Sequence, residues 1–452
     1  MRVLLAFAGS RGDAQPGVLL GRELASRGHR VTVAVSPNLV EFAAAHGVSA
    51  VPFGLDSAEL LRAQHTDHRF TAWNPLERVR ALLDLQRRGF AEAARDLLEI
   101  SSETDLLVTG MACEEVAAEV ARQRSLPSAA MHFFPILPNR AVPVVPAAWG
   151  RRVPGALNLL GWQALTRTRA WALAPEIAAL RRAAELVVGQ SAAAGPKPVV
   201  STAIQAYDIE LFPELAPALG DAPVTGFPVV PGIGGEESDP SFAPAGGSSG
   251  ADGAGRARVG RDLAEWLLTG EPPVYAGFGS MPMTDPLEVE RMVREVCRRQ
   301  GRRLLLAGSM FRADISPDVA VVAQLDHRAV LPLCAVAIHH GGAGTTAAAL
   351  RAGVPSVICS VQADQPFWGR QLESLGLGAT LPFAHLTADR LEQLLIRATD
   401  PTVVLRASAY GMRFRDDGVA RAATVVESLA PPDRPAPLPS IPVTTLEIGG
   451  DR

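Results

Sequence analysis

The chain contains one lysine, Lys197, among 43 basic residues. Arginine stands in its place, beside abundant alanine, glycine and proline. That bias reflects codon usage in a GC-rich genome, with actinobacterial origin the expectation, and carries no functional information. Aromatic residues make up only 5% of the chain, three of them tyrosine, so any core must be mainly aliphatic. The four cysteines, Cys113, Cys297, Cys334 and Cys359, lie far apart. With no CxxC pair and no Cys/His zinc spacing, free thiols in a reducing compartment are expected. No apolar run approaches the roughly 18 residues of a membrane span. The opening Met-Arg-Val-Leu-Leu-Ala-Phe-Ala breaks at Gly9-Ser10-Arg11-Gly12-Asp13, where a signal peptide would carry its cleavage site. A cytoplasmic protein without an integral membrane segment is therefore expected. Net charge is −4, which gives no basic footprint for nucleic acid or an anionic membrane.

What is present is 452 residues, 48% hydrophobic and 20% charged. That length suggests two or three domains. Val3–Ala8, the helical spacing across Gln15–Arg27, and Val31–Val35 make a strand–helix–strand unit with parallel strands. Asp105–Thr109 and Ser128–His132 extend the series around a helix at Glu114–Arg124, and Asn74–Glu99 is a long amphipathic stretch. Ile136–Pro154 is proline-rich and reads as an irregular loop. Residues 228–258 turn rich in Gly, Ser, Pro and Asp and read as a flexible linker or insertion. A second α/β series follows at Val274–Gly277, Pro286–Arg299, Arg303–Ala307, Val319–Ala323, Ala335–His339 and Ser356–Ser360. The expected organisation is α/β, with two facing Rossmann-like domains at 1–227 and 259–430, a cleft between them, and a proline-rich tail at 431–452.

The segment Ala335-Val-Ala-Ile-His-His-Gly-Gly-Ala-Gly-Thr-Thr346 runs from a strand through a glycine turn into a helix. Free N–H groups and the positive end of that helix form an anion site. Gly342, Ala343, Gly344 and Thr345 would bring backbone and hydroxyl donors to a phosphate, and His340 sits where its imidazole can join them. A departing diphosphate needs such fixed donors as charge accumulates on it. Two rivals stand beside this reading. One is a turn serving helix–sheet packing. The other is a dinucleotide fingerprint, since Gly342-Ala-Gly344-Thr-Thr-Ala347 satisfies GxGxxA and Asp364 lies about 20 residues on. The paired histidine and the segment Ala363-Asp-Gln-Pro-Phe-Trp-Gly369 favour the first reading. Asp364 and Gln365 together offer acceptors and donors for sugar hydroxyls. Asp364 could instead be an N-cap ahead of Pro366.

In the first half, Asp13 follows the first strand in a glycine-containing loop and is the candidate general base for an attacking hydroxyl. Its alternative is a first-turn acid interacting with the helix dipole. Ser10 and Arg11 can reach donor phosphates across a cleft, or Arg11 can be a solvated charge. Trp73, His132, Phe133 and Trp149 are candidates to line an apolar acceptor pocket, with a core role as the rival for the aromatics. One carboxylate base and no covalent nucleophile predicts single displacement with inversion. The absence of a DxD pair fits metal-independent chemistry without a cofactor.

Ile338-His-His-Gly-Gly-Ala-Gly-Thr-Thr346 followed by Asp364-Gln-Pro-Phe-Trp-Gly-Arg370 resembles the donor-binding region of family 1 glycosyltransferases of GT-B fold. The branch is that of bacterial natural-product and sterol glucosyltransferases. Gly9-Ser-Arg-Gly-Asp-Ala-Gln-Pro16 and Phe278-Gly-Ser-Met281 resemble its opening loops. The resemblance implies a UDP- or dTDP-sugar as co-substrate and a hydrophobic acceptor: a polyketide, macrolide, sterol-like or lipid aglycone. It implies that His340 and the backbone of Gly342–Thr345 hold the diphosphate, with Ser280 reaching a phosphate from the facing loop. Val322 and Gln324 fall where the family contacts base and ribose, and Asp364 and Gln365 where it holds the donor sugar. Asp13 matches the branch's base. The base-binding segment lacks the tryptophan of plant members, which leaves uridine and thymidine both open. A nucleotide-sugar epimerase and a non-catalytic nucleotide-binding helper subunit are the alternatives in function.

Overall fold

The structure, a computed structural model, describes residues 1–60, 75–145, 150–188, 200–229, 262–279, 285–361 and 363–430. Trp73, Trp149, Ser280, nearly all of the expected linker and the expected tail lie outside these residues.

Two sheets organise the chain. The first comprises β1 (Arg2–Phe7), β2 (Arg30–Val35), β3 (Ser49–Pro52), β4 (Leu106–Gly110), β5 (Ser128–His132) and β6 (Ser201–Gln205). Their order is β3-β2-β1-β4-β5-β6, and every adjacent pair is parallel. The second comprises β7 (Val274–Gly277), β8 (Leu304–Ala307), β9 (Asp314–Ile315), β10 (Val319–Val322), β11 (Val336–His339), β12 (Ser356–Ser360) and β13 (Gly378–Pro382). Their order is β13-β12-β11-β7-β8-β10-β9, with only β9–β10 antiparallel. Both are the doubly wound arrangement that the strand–helix alternation predicts. In each, winding reverses beside the first strand, between β1 and β4 and between β7 and β11. Loops diverge there and open a crevice at the strand carboxyl ends.

Burial on both faces explains the apolar runs. Val3, Leu5 and Phe7 of β1 enter one core cluster, while Leu4 and Ala6 enter the cluster on the other face. In β11, Val336 and Ile338 face one side and Ala337 the other. Helix ends carry their own signals. Asp285 accepts from the Glu288 N–H ahead of the Pro286–Arg299 helix. Gly28, at φ +87°, ends the Arg11–Ser26 helix in a conformation that costs other residues about 1 kcal/mol or more.

Two features depart from the sequence reading. Gly155–Val188 is a 34-residue helix where no helix was expected. Its apolar residues lie on more than one face: Trp162, Leu173 and Leu180 are buried, whereas Leu157, Leu160 and Trp171 are exposed. No single stripe announces the helix. The Gly418–Ser428 helix falls in the range expected for the second domain yet packs on the first. Ala422, Ala423 and Val426 join the cluster of Val3, Leu5 and Val18. Glu427 pairs with both Arg27 and His29 at 2.8 Å.

The lobes also meet through an aromatic cluster. Trp368, fully buried, lies 5.7 Å from the Phe212 ring and 5.4 Å from Phe227. Phe134 stacks toward Phe367 at 5.4 Å. Among the described residues no helix is long and apolar enough to cross a membrane.

Candidate active site

The end of β1 delivers Asp13. Gly9 adopts φ +130°, and a Cβ there would lie 2.5 Å from the Asp13 Oδ2. The position therefore requires glycine on two counts. Asp13 is the third residue of the Arg11–Ser26 helix. Its Oδ2 accepts from the Ser10 N–H at 2.8 Å and the Ser10 hydroxyl at 2.9 Å. Asp13 is thus the first-turn acid of its helix, at N3, and completes a capping box with the N-cap Ser10. It does so with one oxygen, leaving Oδ1 uncommitted to Ser10. Burial raises its pKa, and the Ser10 hydrogen bonds only partly oppose that rise. Arg11 is exposed, with its guanidinium 4.6 Å over the Phe42 ring.

At the neighbouring switch-point strand, β4 leads to Cys113, Glu114 and Glu115. Burial pushes the Cys113 thiol up to about 12, and the nearby charges of Asp13 and Glu115 add to the rise. Glu115 pairs with Arg169 at 2.7 Å. A hydrogen-bond chain runs behind them. The Tyr207 hydroxyl donates to Gln205 Oε1 at 3.0 Å, Gln205 Nε2 donates to His132 Nδ1 at 3.2 Å, and His132 Nε2 donates to Glu114 Oε2 at 3.0 Å. Burial pushes Glu114 up, but His132 and Arg169 outweigh it and hold the carboxyl below its ordinary value.

On the second lobe, β11 ends in His339, His340 and the glycine turn. Gly342 N-caps the Ala343–Arg351 helix, and among the described residues no side chain caps it. The first amides of that helix are therefore free to meet an anion. The His340 ring lies in a slot between two glycines. A Cβ on Gly279 would stand 3.1 Å from its Cε1, and one on Gly342 only 2.6 Å from its Nε2. Burial lowers its pKa to about 4, with a smaller contribution from His327, so the imidazole rests neutral at pH 7. Its Nδ1 is buried without a hydrogen-bond partner among the described residues. By contrast, a Cβ on Gly344 would meet nothing within 4 Å. Thr345 is half-buried beside this space, and Thr346 is fully buried.

Asp364 stands at the N-cap of the Gln365–Leu375 helix but does not cap it. The Trp368 indole N–H, one turn on, donates to its Oδ2 at 3.0 Å. Burial, then the Asp13 charge, raises Asp364 to about 7. The charge of a first-lobe carboxylate is thus felt at a second-lobe one. Ala363, just before, holds φ +55°, a strained conformation of the kind stored at functional sites. Gln365 Oε1 accepts from the Val361 N–H at 2.8 Å, fixing its side chain beside the turn. The Arg11 charge acts across the cleft on His327, and Ala343 packs against the first-lobe core.

Ser10, Arg11 and Asp13 thus lie beyond the carboxyl end of β1 in the first lobe, and His340, Gly342, Ala343, Gly344, Thr345, Asp364 and Gln365 beyond the carboxyl ends of β11 and β12 in the second. Val322 ends β10 and is buried, and Gln324 follows it, exposed. Two acceptor-pocket expectations are corrected. Phe133 is 5% exposed and packs under Phe7 at 6.4 Å, in the core rather than on a cleft wall. His132 is 1% exposed with both ring nitrogens bonded, so it supports Glu114 instead of facing a ligand. An apolar residue at a strand end does not reveal from sequence which way it points. Sequence reasoning missed Trp368 as the clamp on Asp364, although the i, i+4 spacing was readable. It also missed Tyr275 and His327, paired at 2.8 Å although 52 positions apart. A cavity of about 330 Å³ beside Pro272, Ala335 and Pro355 lies at the amino-terminal ends of the central strands of the second sheet and holds none of these groups.

Two doubly wound lobes with opposed strand ends, a phosphate-type helix end on one and a carboxylate on the other, define a GT-B enzyme. Residues 308–429 match the family model described as the C-terminal domain of erythromycin biosynthesis protein CIII-like proteins. An uncharacterized glycosyltransferase of Mycobacterium bovis is 33% identical over 434 residues, covering 94% of this chain and 97% of that protein. A sterol 3-beta-glucosyltransferase of Arabidopsis thaliana is 26% identical, over 97% of this chain and 69% of its own length. Among solved structures, the calicheamicin glycosyltransferase superposes with TM-score 0.63 at 18% identity, over 95% of this chain and 98% of that one. Glycosyltransferase VinC, in complex with dTDP, gives 0.60 at 19% identity, over 95% and 99%. The likeness to these solved structures is one of fold. The chain belongs to the family 1 glycosyltransferases of GT-B fold.

Proposed function

We propose that the enzyme moves a hexose or deoxyhexose from a UDP- or dTDP-sugar to a hydroxyl of a hydrophobic acceptor, with inversion and without a metal or cofactor. A polyketide, macrolide, sterol-like or lipid aglycone is the acceptor class. The observation that carries the reading is the helix end after the glycine turn: among the described residues no side chain caps Gly342–Thr345, and the His340 ring is seated beside it. A sugar held between the lobes would then have a base on one side and charge-accepting amides on the other.

In this scheme Asp13 takes the proton of the acceptor hydroxyl as its oxygen attacks the anomeric carbon. A raised pKa makes it a better base than an ordinary aspartate. The bond to the diphosphate breaks on the opposite face. The departing charge falls on the amides of Ala343–Thr345 and on His340, donors already oriented before reaction. Asp364 and Gln365 hold the sugar hydroxyls. Binding of a neutral sugar would exclude water from a carboxyl poised near neutrality. Ser280, Val322 and Gln324 are proposed for phosphate, base and ribose contacts, and Glu115 with Arg169 for the polar end of the acceptor cleft. VinC, crystallised with dTDP, supports a thymidine donor. The four buried free thiols suit a reducing compartment, so a cytoplasmic reaction is part of the proposal.

The test is a thermal-shift screen with UDP, dTDP and their sugars, followed by product analysis with a panel of apolar alcohols. Stabilisation by one diphosphate and a β-linked product from an α-linked donor are expected. Conversion of the donor without any acceptor would instead reveal an epimerase. Absence of transfer, with activity restored to a partner enzyme, would reveal a helper subunit. His340→Ala is expected to weaken the diphosphate about tenfold or more. Unchanged kinetics would remove His340 from the site.

A further inference from the structure

We propose that His339 is a positioning residue for the phosphate-binding turn: its Nδ1 holds the Gly341 amide and so fixes the bend that aims the Ala343–Arg351 helix end into the cleft. The proposal rests on reading that helix end as the diphosphate site. His339 closes β11 and is 0% exposed. The Gly341 N–H donates to its Nδ1 at 3.1 Å, so an imidazole two residues back supplies the acceptor that the turn itself lacks. Gly341 holds φ +92°, in the left-handed region. A Cβ there would stand 2.6 Å from Ile358 Cγ2 and 3.3 Å from the Gln365 carbonyl oxygen. The turn is thus wedged between β12 and the first residue of the sugar-side helix. Its amide direction leaves little room for error.

The hydrogen bond also assigns the tautomer. Nδ1 carries the lone pair, so the proton is on Nε2, which is buried and without a partner among the described residues. Burial, reinforced by His340 and His327, keeps this imidazole neutral. A ring that does not change charge serves as a permanent acceptor. Its role differs from that of His340, which is half-buried beside the open space at Gly344.

Side-chain geometry supplies the test. In His339→Asn the amide oxygen overlies Nδ1, in His339→Gln it overlies Nε2, and His339→Phe fills the volume with no acceptor. Hydrogen exchange at the Gly341 amide is measured on the full, unliganded chain. Calorimetry with UDP and with dTDP follows. His339→Phe and His339→Gln are expected to speed Gly341 exchange and to weaken the diphosphate by about tenfold each. His339→Asn should stay near wild type in both. A merely structural role predicts losses that follow thermal stability instead of the Asn/Gln distinction. Protection and affinity retained in His339→Phe, or lost equally in His339→Asn, would overturn the proposal. If wild type binds neither diphosphate, the donor-site reading falls, while the exchange comparison still decides whether His339 holds the turn.

Discussion

In the proposed reaction Asp13 has two jobs that share one carboxylate: Oδ2 accepts from Ser10 at the start of the helix, and Oδ1 would be left for the proton. Substitution by alanine would remove both together. Asp13→Asn is the cleaner test, because an amide oxygen can still accept from Ser10. It is expected to lower turnover about 10³-fold while donor affinity and Tm stay close to wild type. Transfer within tenfold of wild type would assign the proton to another group. Asp364 offers a second test at this scale. Its carboxyl ionises near pH 7 in the folded chain and near 3.8 unfolded. Between those values the folded state holds the extra proton, so stability falls as pH rises from about 4 to 7 and levels off above. Asp364→Asn keeps an acceptor for Trp368 and loses the titration. Its Tm is expected to match wild type at pH 4 and to exceed it by roughly 2–4 °C at pH 8. Parallel Tm profiles for the two proteins would contradict the burial and the Asp13 coupling.

The element that matters most is the Ala343–Arg351 helix with its glycine entry. Three glycines there serve different physical ends. Gly341 needs its positive φ, Gly342 makes room for the His340 ring, and Gly344 is constrained by nothing nearby. Alanine at 344 should therefore favour the helix by up to about 1 kcal/mol. If a diphosphate fills the space in front of it, the same methyl should weaken nucleotide binding about tenfold. A Gly344→Ala protein that melts at or above the wild-type temperature yet binds UDP and dTDP poorly is the expected result. Unaltered affinity would move the phosphates elsewhere. In the Gln365–Leu375 helix, one indole does the sorting: Trp368 takes Asp364 away from a cap and turns it toward the cleft.

Across the whole molecule, the lobes are joined by more than one covalent crossing. The Gly418–Ser428 helix returns to cover the first lobe, and the Trp368, Phe212 and Phe227 rings tie the second lobe to residues 209–227. Truncation after Arg415 would uncover Val3, Leu5 and Val18, at a cost on the order of 3 kcal/mol or more. Limited proteolysis of such a protein is expected to open the first lobe while the second stays protected. Equal resistance of both lobes would show that the returning helix adds nothing to the first core. The proposed site depends on this joining, since Asp13 and the Ala343–Arg351 helix end belong to different sheets.

Most of the strands and the loops that bear the site were legible before any coordinates. Burial on both faces turns a parallel strand into an apolar run, and a glycine turn before a helix marks a close backbone approach. Asp13, His340 and Asp364 stood out for those reasons. The 34-residue helix did not, because its apolar residues are divided between core and surface. Neither did the fate of Phe133 and His132, whose neighbours Phe7 and Glu114 are distant in sequence. The amino-acid order alone determined the doubly wound class, the glycine turn that opens the Ala343–Arg351 helix and the supply of carboxylates. Tertiary structure decided which groups face each other: that Asp364 lies within reach of Asp13's charge, that His339 turns inward to an amide, and that the last helix belongs to the first lobe. Those are outcomes of packing between residues up to hundreds apart, and local propensity holds no record of them.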